Sequence, residues 1–156
     1  MTETFGLKVL FHRKMRIKGV IMSQLLRIKC PSCGTVVDIA GNDTCKKCGN
    51  ALVLPEDGVV QIYRMGSPLG IAVGMGIYLN ENPLGHLANA ESIRIPVAYG
   101  HYKLHMTHGG NRKCKDAEFD VTPEERIVYF KAHLKMGLIT NTVVIEKVTA
   151  DQMPPL

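Results

Sequence analysis

The chain has 156 residues and 46% apolar composition, enough for a packed core in one ordinary domain, or in a small and a medium one. No run approaches the ~20 consecutive apolar residues of a membrane span, and no charged-then-apolar leader with a small-residue cleavage site is visible, so a cytoplasmic location is expected. The net charge of +5 is weak support for nucleic acid because it is localised: residues 1–29 carry seven Lys/Arg against one acid, and residues 30–156 carry twelve Lys/Arg against thirteen Asp/Glu.

Residues 1–21 form a basic arm with apolar residues but no clean helical or strand period. Met22 offers a second start shortly before the first cysteines, and the codons for Lys18-Gly19-Val20 can spell a purine-rich ribosome-binding site. Two readings of the arm stay open. It is an extension that the native protein lacks, or a basic amphipathic anchor for a membrane surface or RNA. From Met22 onward the balance is fourteen bases to thirteen acids, so the nucleic-acid reading depends on the arm being real.

Next come four of the five cysteines, spaced Cys30-x2-Cys33-x11-Cys45-x2-Cys48. A C-x2-C turn places two thiolates on one edge of a tetrahedron, and two such turns supply all four zinc ligands. Gly34 and Gly49 follow the pairs, where the chain must turn sharply and a residue without Cβ can take positive φ. Pro31 stiffens the first turn. Two disulfides or four unrelated buried thiols are the competing readings, and a reducing cytosol disfavours the first. With all four vertices filled by sulfur the site is closed, hence structural and not catalytic. Strands are expected at Leu25–Lys29, Thr35–Ile39 and Ala51–Leu54, with a turn at Gly41-Asn42-Asp43. A segment of ~30 residues buries too little apolar surface to fold alone, and the metal compensates. The pattern CPSCG followed by CKKCG resembles the short bacterial zinc ribbons. The resemblance covers residues ~27–52 and implies one Zn2+ on Cys30, Cys33, Cys45 and Cys48, without naming a partner.

Leu54-Pro55-Glu56-Asp57-Gly58 reads as a boundary. Beyond it, short runs rich in Val, Ile and Tyr predict strands at Val59–Met65, Ala72–Asn80, Leu84–Leu87, Ser92–Pro96, His101–Thr107, Ala117–Val121, Arg126–Lys135 and Thr142–Val148. Ile93 and Ile95 alternate with Arg94, and Tyr102, Leu104 and Met106 alternate with Lys103 and His105. Short strands with period-two patterning argue an antiparallel β-sandwich. Ile77, Leu79, Asn80, Gly85, Leu87, Ile93, Ile95, Pro96, Gly100, His101, Tyr102 and Leu104 resemble the pattern of PEGA-type Ig-like modules over residues 59–135. The literal PEGA tetrapeptide is missing. That resemblance implies a sandwich with a surface or interaction role and no active site.

Other residues receive plainer readings. His101, His105 and His108 suggest a metal site, but two strand positions four residues apart lie roughly 13 Å from one another, so a solvated strand face is expected. Cys114 has basic neighbours and reads as a free thiol in a loop. Lys46-Lys47 reads as a solvated tip. Gly70, Gly74 and Gly76 lack the following Lys-Ser/Thr of a phosphate loop and read as a strand bend or bulge.

The expectation is therefore an all-β protein: an N-terminal zinc ribbon (22–54), an antiparallel Ig-like, PEGA-like β-sandwich (58–148) and a tail (149–156). Its expected function is a non-enzymatic protein-interaction or scaffold module, with self-association through a sheet edge as one mode. The alternative is nucleic-acid binding through ribbon and arm.

Overall fold

The structure, a computed structural model, describes residues 27–38, 43–52, 55–68 and 70–155. The arm 1–21, the Met22 start, the expected strand ends at Leu25, Ile39 and Leu54, and the Gly41-Asn42 half of the expected turn lie outside the described residues.

The fold is all-β. Among the described residues the elements are β1 (Arg27–Lys29), β2 (Val36–Asp38), β3 (Gly58–Arg64), β4 (Met75–Leu79), β5 (Asn82–Leu87), β6 (Ser92–Val97), β7 (Gly100–His108), β8 (Cys114–Lys115), β9 (Ala117–Val121), β10 (Ile127–Lys135) and β11 (Thr142–Val148), followed by a 3-10 turn at Ala150–Gln152. β1 and β2 pair alone. The rest form a five-stranded sheet ordered β6-β3-β10-β11-β8 and a four-stranded sheet ordered β5-β4-β7-β9.

Period-two alternation does what the sequence suggests. Ile93 and Ile95 face inward while Arg94 is exposed, and Leu104 and Met106 are buried beneath Lys103 and His105. Side chains from both sheets merge into one core that includes Val60, Ile62, Ile77, Leu104, Val128 and Phe130. Sheets stacked over a shared apolar layer make a sandwich.

Three expectations change. The pairing is not wholly antiparallel, because β10 runs parallel to β3 and β11 runs parallel to β8. The gap between the expected strands Ala72–Asn80 and Leu84–Leu87 closes as a two-residue turn. Asn80 and Glu81 both take positive φ (48° and 66°), the geometry that matches strand twist in tight hairpins, and Asn82 and Pro83 belong to the next strand. Pro83 is tolerated because β5 is an edge strand. The register shift lies opposite Ile77/Tyr78, where β5 carries the extra residue Leu84, and not at the Gly70–Gly76 run.

Arg64, only 1% exposed at the end of β3, organises the loop that follows. It donates to the carbonyls of Val73 (2.7 Å), Leu87 (3.1 Å) and Gly70 (3.0 Å), stitching that loop to β5. Gly70 is required twice over. Its φ is +69°, and a Cβ there would lie 2.4 Å from the His108 ring.

Candidate metal centre

The two cysteine pairs fold alike. The amide of Gly34 donates to the Cys30 carbonyl at 2.9 Å, and the amide of Gly49 donates to the Cys45 carbonyl at 2.8 Å. Each first cysteine is anchored in the same manner: the Cys30 amide donates to Thr35 and the Cys45 amide to Asn50, both at 2.8 Å. Gly34 and Gly49 take φ of 69° and 75°, the positive values that their place after each pair predicts. Two short hydrogen-bonded turns thus face each other. β1 and β2 hold one, and a bridge between Thr44 and Ala51 closes the other. Of the expected strand from Ala51, that bridge is what the described residues carry.

The geometry brings all four sulfurs together, within 4.8 Å of one another. Cys30 and Cys48 are 3.5 Å apart and Cys33 and Cys45 3.7 Å apart, so the close contacts run between the pairs. A tetrahedron of sulfurs at ~2.3 Å from zinc has edges of ~3.8 Å. The donor set and its spacing therefore fit a tetrahedral, thiophilic dication, and all five cysteines are free rather than joined as disulfides.

The acid–base balance of the cluster points the same way. The Cys33 thiol is drawn down to about 6 by the Thr35 hydroxyl and amide that reach its sulfur. The Cys33 amide lowers Cys30 against the opposing effect of burial. Cys48 receives the Asn50 amide, yet burial and the neighbouring sulfurs of Cys30, Cys45 and Cys33 outweigh it and push Cys48 up to about 12. Four thiolates cannot coexist at this spacing without a cation among them, and a bound dication removes that conflict.

The same sulfurs supply much of the local core. Cys30, Cys45, Val37 and Leu52 are its buried members, with Ile28 and Cys33 packed against them. Among the described residues Val37 and Leu52 are the buried aliphatic side chains there, a very small interior, so this part of the fold depends on what the sulfurs hold. Ile28 and Lys29 also line a groove against Leu84, Ile95 and Tyr102, where β1 lies beside β5.

The three histidines part company. His101 pairs with Asp120 at 2.9 Å on an exposed surface. His108 packs against Gly70 with a buried Nε2 that has no hydrogen-bond partner among the described residues. His105 departs from the expected solvated face. It is half-buried, its Nδ1 lies 2.6 Å from Asp116 Oδ1, and Cys114 joins them in one cluster. Cys114 is not in a loop. It opens β8, where burial pushes its thiol up while the Met106 amide pulls it down and Asp116 adds to the rise. The strand β8 is too short to leave a period in the sequence, so Cys114-x-Asp116 is the signal that was available.

Comparison with protein-family models, with curated proteins and with solved structures finds no match for this chain. Among the described residues, no helix is long and apolar enough to cross a membrane.

Proposed function

We propose that the chain is a zinc-stabilised, non-enzymatic interaction module of the cytoplasm, in which a ribbon closed by Cys30, Cys33, Cys45 and Cys48 holds one structural Zn2+ and the sandwich presents the surface that meets a protein partner. The closed set of four sulfurs leaves no vertex for substrate, which supports a structural role for that ion. Four reduced thiols suit a reducing compartment. The likeness of CPSCG…CKKCG to short zinc ribbons supports the same reading.

The observation that carries the interaction reading is the tip between β10 and β11. Leu138 and Ile139 are fully exposed there and Met136 is 63% exposed. Single exposed apolar residues are ordinary, but three within four positions at the end of a hairpin form a knob that water disfavours and a partner's pocket would accept. The sheet edges are poorer candidates. β5 carries Pro83 and a bulge, β6 carries Pro96, β8 has two residues, and β9 carries the exposed acids Glu118 and Asp120, which would oppose themselves in a self-paired edge. The nucleic-acid alternative rests on an arm outside the described residues.

The test is a photo-crosslinking residue placed at Leu138 in cells that make the protein, with a control at Glu124 in the turn at the opposite end of β10. A discrete protein adduct from position 138 and none from 124 is expected. Equal labelling from both, or none from 138, refutes the docking knob.

A further inference from the structure

Three more donors meet where the chain passes from one sheet to the other. β8 is hydrogen-bonded beside β11 in the five-stranded sheet, and β9, starting at Ala117, belongs to the four-stranded one. Cys114 and Asp116 stand at that crossing, two residues apart, a spacing that sends both side chains to one side of an extended chain. His105 of β7 lies against them, because the register Leu104↔Ala117 sets it opposite Asp116. One donor atom from each of the three residues lies within 4.8 Å of the others.

We propose that His105, Cys114 and Asp116 form a second metal site, which takes a transition dication of the Zn2+ class with its fourth position open to water.

The donor chemistry selects the class of ion. A thiolate is a poor ligand for Mg2+ or Ca2+, which prefer all-oxygen shells, whereas sulfur, imidazole and carboxylate together suit Zn2+, Co2+ and their neighbours. Three protein ligands with one free vertex is the open arrangement, unlike the closed set in the ribbon. The free vertex has space: a cleft of about 380 Å³ lies over His105 and Asp116, walled by Tyr78, Glu81, Lys103 and Arg112.

Supports for each ligand are already in place. Lys103 Nζ holds Asp116 Oδ2 at 3.0 Å, which leaves Oδ1 for the ion. The Met106 backbone favours the Cys114 thiolate against its burial. Tyr78 packs edge-on against the His105 ring with centroids 5.8 Å apart, and Arg112 lies over Tyr78. Entry of the ion replaces the hydrogen bond between Nδ1 and Oδ1: the proton between them leaves to solvent, the neutral ring carries its proton on Nε2, and the two atoms spread to the ~3.3 Å edge of a tetrahedral N/O pair. The Cys114 thiol loses its proton to solvent as the sulfur–metal bond forms. The thiolate and the carboxylate together neutralise the dication, so Lys103 and Arg112 face an uncharged unit. They weaken this site relative to four thiolates without abolishing it.

A catalytic thiol is the competing use of a Cys-His-Asp cluster. It requires surroundings that hold the sulfur as thiolate. Here burial works against the thiolate, and a bound dication is what would reverse it.

The test is Co2+ titration of the full chain, followed by visible absorption and by counting bound ions after desalting. Two ions per chain are expected. One gives the intense bands of a four-sulfur site, and the other gives the weaker charge-transfer band of a single thiolate. Cys114→Ser and Asp116→Asn should each lose only the weaker band, and Cys48→Ser should lose only the intense one. A ribbon that fails to bind would instead give one ion in the wild-type chain, still removed by Cys114→Ser, so the two sites are judged separately. Circular dichroism checks that each variant keeps its sheet. An ion count and spectrum unchanged in whichever of Cys114→Ser and Asp116→Asn stays folded overturns the proposal.

Discussion

Phe119 of β9 meets Phe130 of β10 across the sandwich, edge to face, with ring centroids 4.9 Å apart. The two strands are consecutive in the chain but lie in different sheets, so the contact clamps one sheet to the other at the arch between them. Phe130 is fully buried. Phe130→Ala should cost about 3–5 kcal/mol of stability through lost burial and the cavity left behind. A double-mutant cycle with Phe119→Ala should show a coupling of about 0.5–1.5 kcal/mol in chemical denaturation. Additive effects would mean that the rings pack independently.

Arg64 gives a different kind of prediction. Its three bonds to carbonyls are charge-assisted, but its charge is buried and, among the described residues, is met by no carboxylate. Burial correspondingly lowers its pKa. The gains and the desolvation cost oppose each other. Three charge-assisted bonds should prevail over that cost, which includes a buried Nε that finds no partner among the described residues. Arg64→Met is expected to destabilise the fold by about 2 kcal/mol in urea, within the range for a lost network of this size. Amides from Ile71 to Gly74 should exchange faster than the global change requires. A variant as stable as wild type would show that the buried cation does not stabilise the fold.

Removal of the proposed ribbon metal should act locally. Among the described residues the main core contains none from the ribbon segment, and that segment's own core is built largely from cysteine. Zinc in comparable small sites contributes about 10–16 kcal/mol of apparent free energy, far more than Val37 and Leu52 can replace. A strong chelator, or Cys45→Ser, should collapse the amide spectrum of residues 27–38 and 43–52 while that of residues 58–148 keeps its dispersion. Loss of both sets together would show that the ribbon and sandwich fold as one unit.

The Lys103–Asp116–His105 group sets a pH window for the metal-free sandwich. For Asp116, burial raises the carboxyl, but hydrogen bonds and charge from His105 and Lys103 outweigh it and leave it below the ordinary carboxylate range. Its stabilisation is present above the unfolded value and is lost as pH falls through the folded one, so the loss lies below about pH 4. For Lys103 the hydrogen bond and charge of Asp116, helped by Glu118 and Glu81, raise the ammonium. That contribution is present below the unfolded value and fades as pH rises through the folded one, above about pH 10.5. Both groups are partly exposed, so the effect should shrink in salt. Asp116→Asn should flatten the acid limb of the stability profile. An unaltered acid limb would place the relevant carboxylate elsewhere.

Much of this protein was legible residue by residue. Ile93 and Ile95 around Arg94, or Leu104 and Met106 around His105, declare a strand and its inner face because strand geometry repeats every two residues. Cys30-x2-Cys33 and Cys45-x2-Cys48 declare two turns because each spacing is a local shape. Other features were not legible. The two-residue turn at Asn80-Glu81 was obscured by Asn82-Pro83, which resembles turn chemistry but lies on a strand edge. Leu138 and Ile139 read as ordinary aliphatics until the hairpin carries them into solvent.

By itself the sequence determined what short-range geometry determines: most of the strands, their buried faces and the two sulfur-bearing turns. Only the tertiary structure decided that β3 lies parallel to β10, that Phe119 faces Phe130, and that His105 shares a cluster with Cys114 and Asp116. Periodicity shows which way a side chain faces. It does not show which distant strand will be its neighbour, because that choice is made by the whole core when the two sheets close on each other.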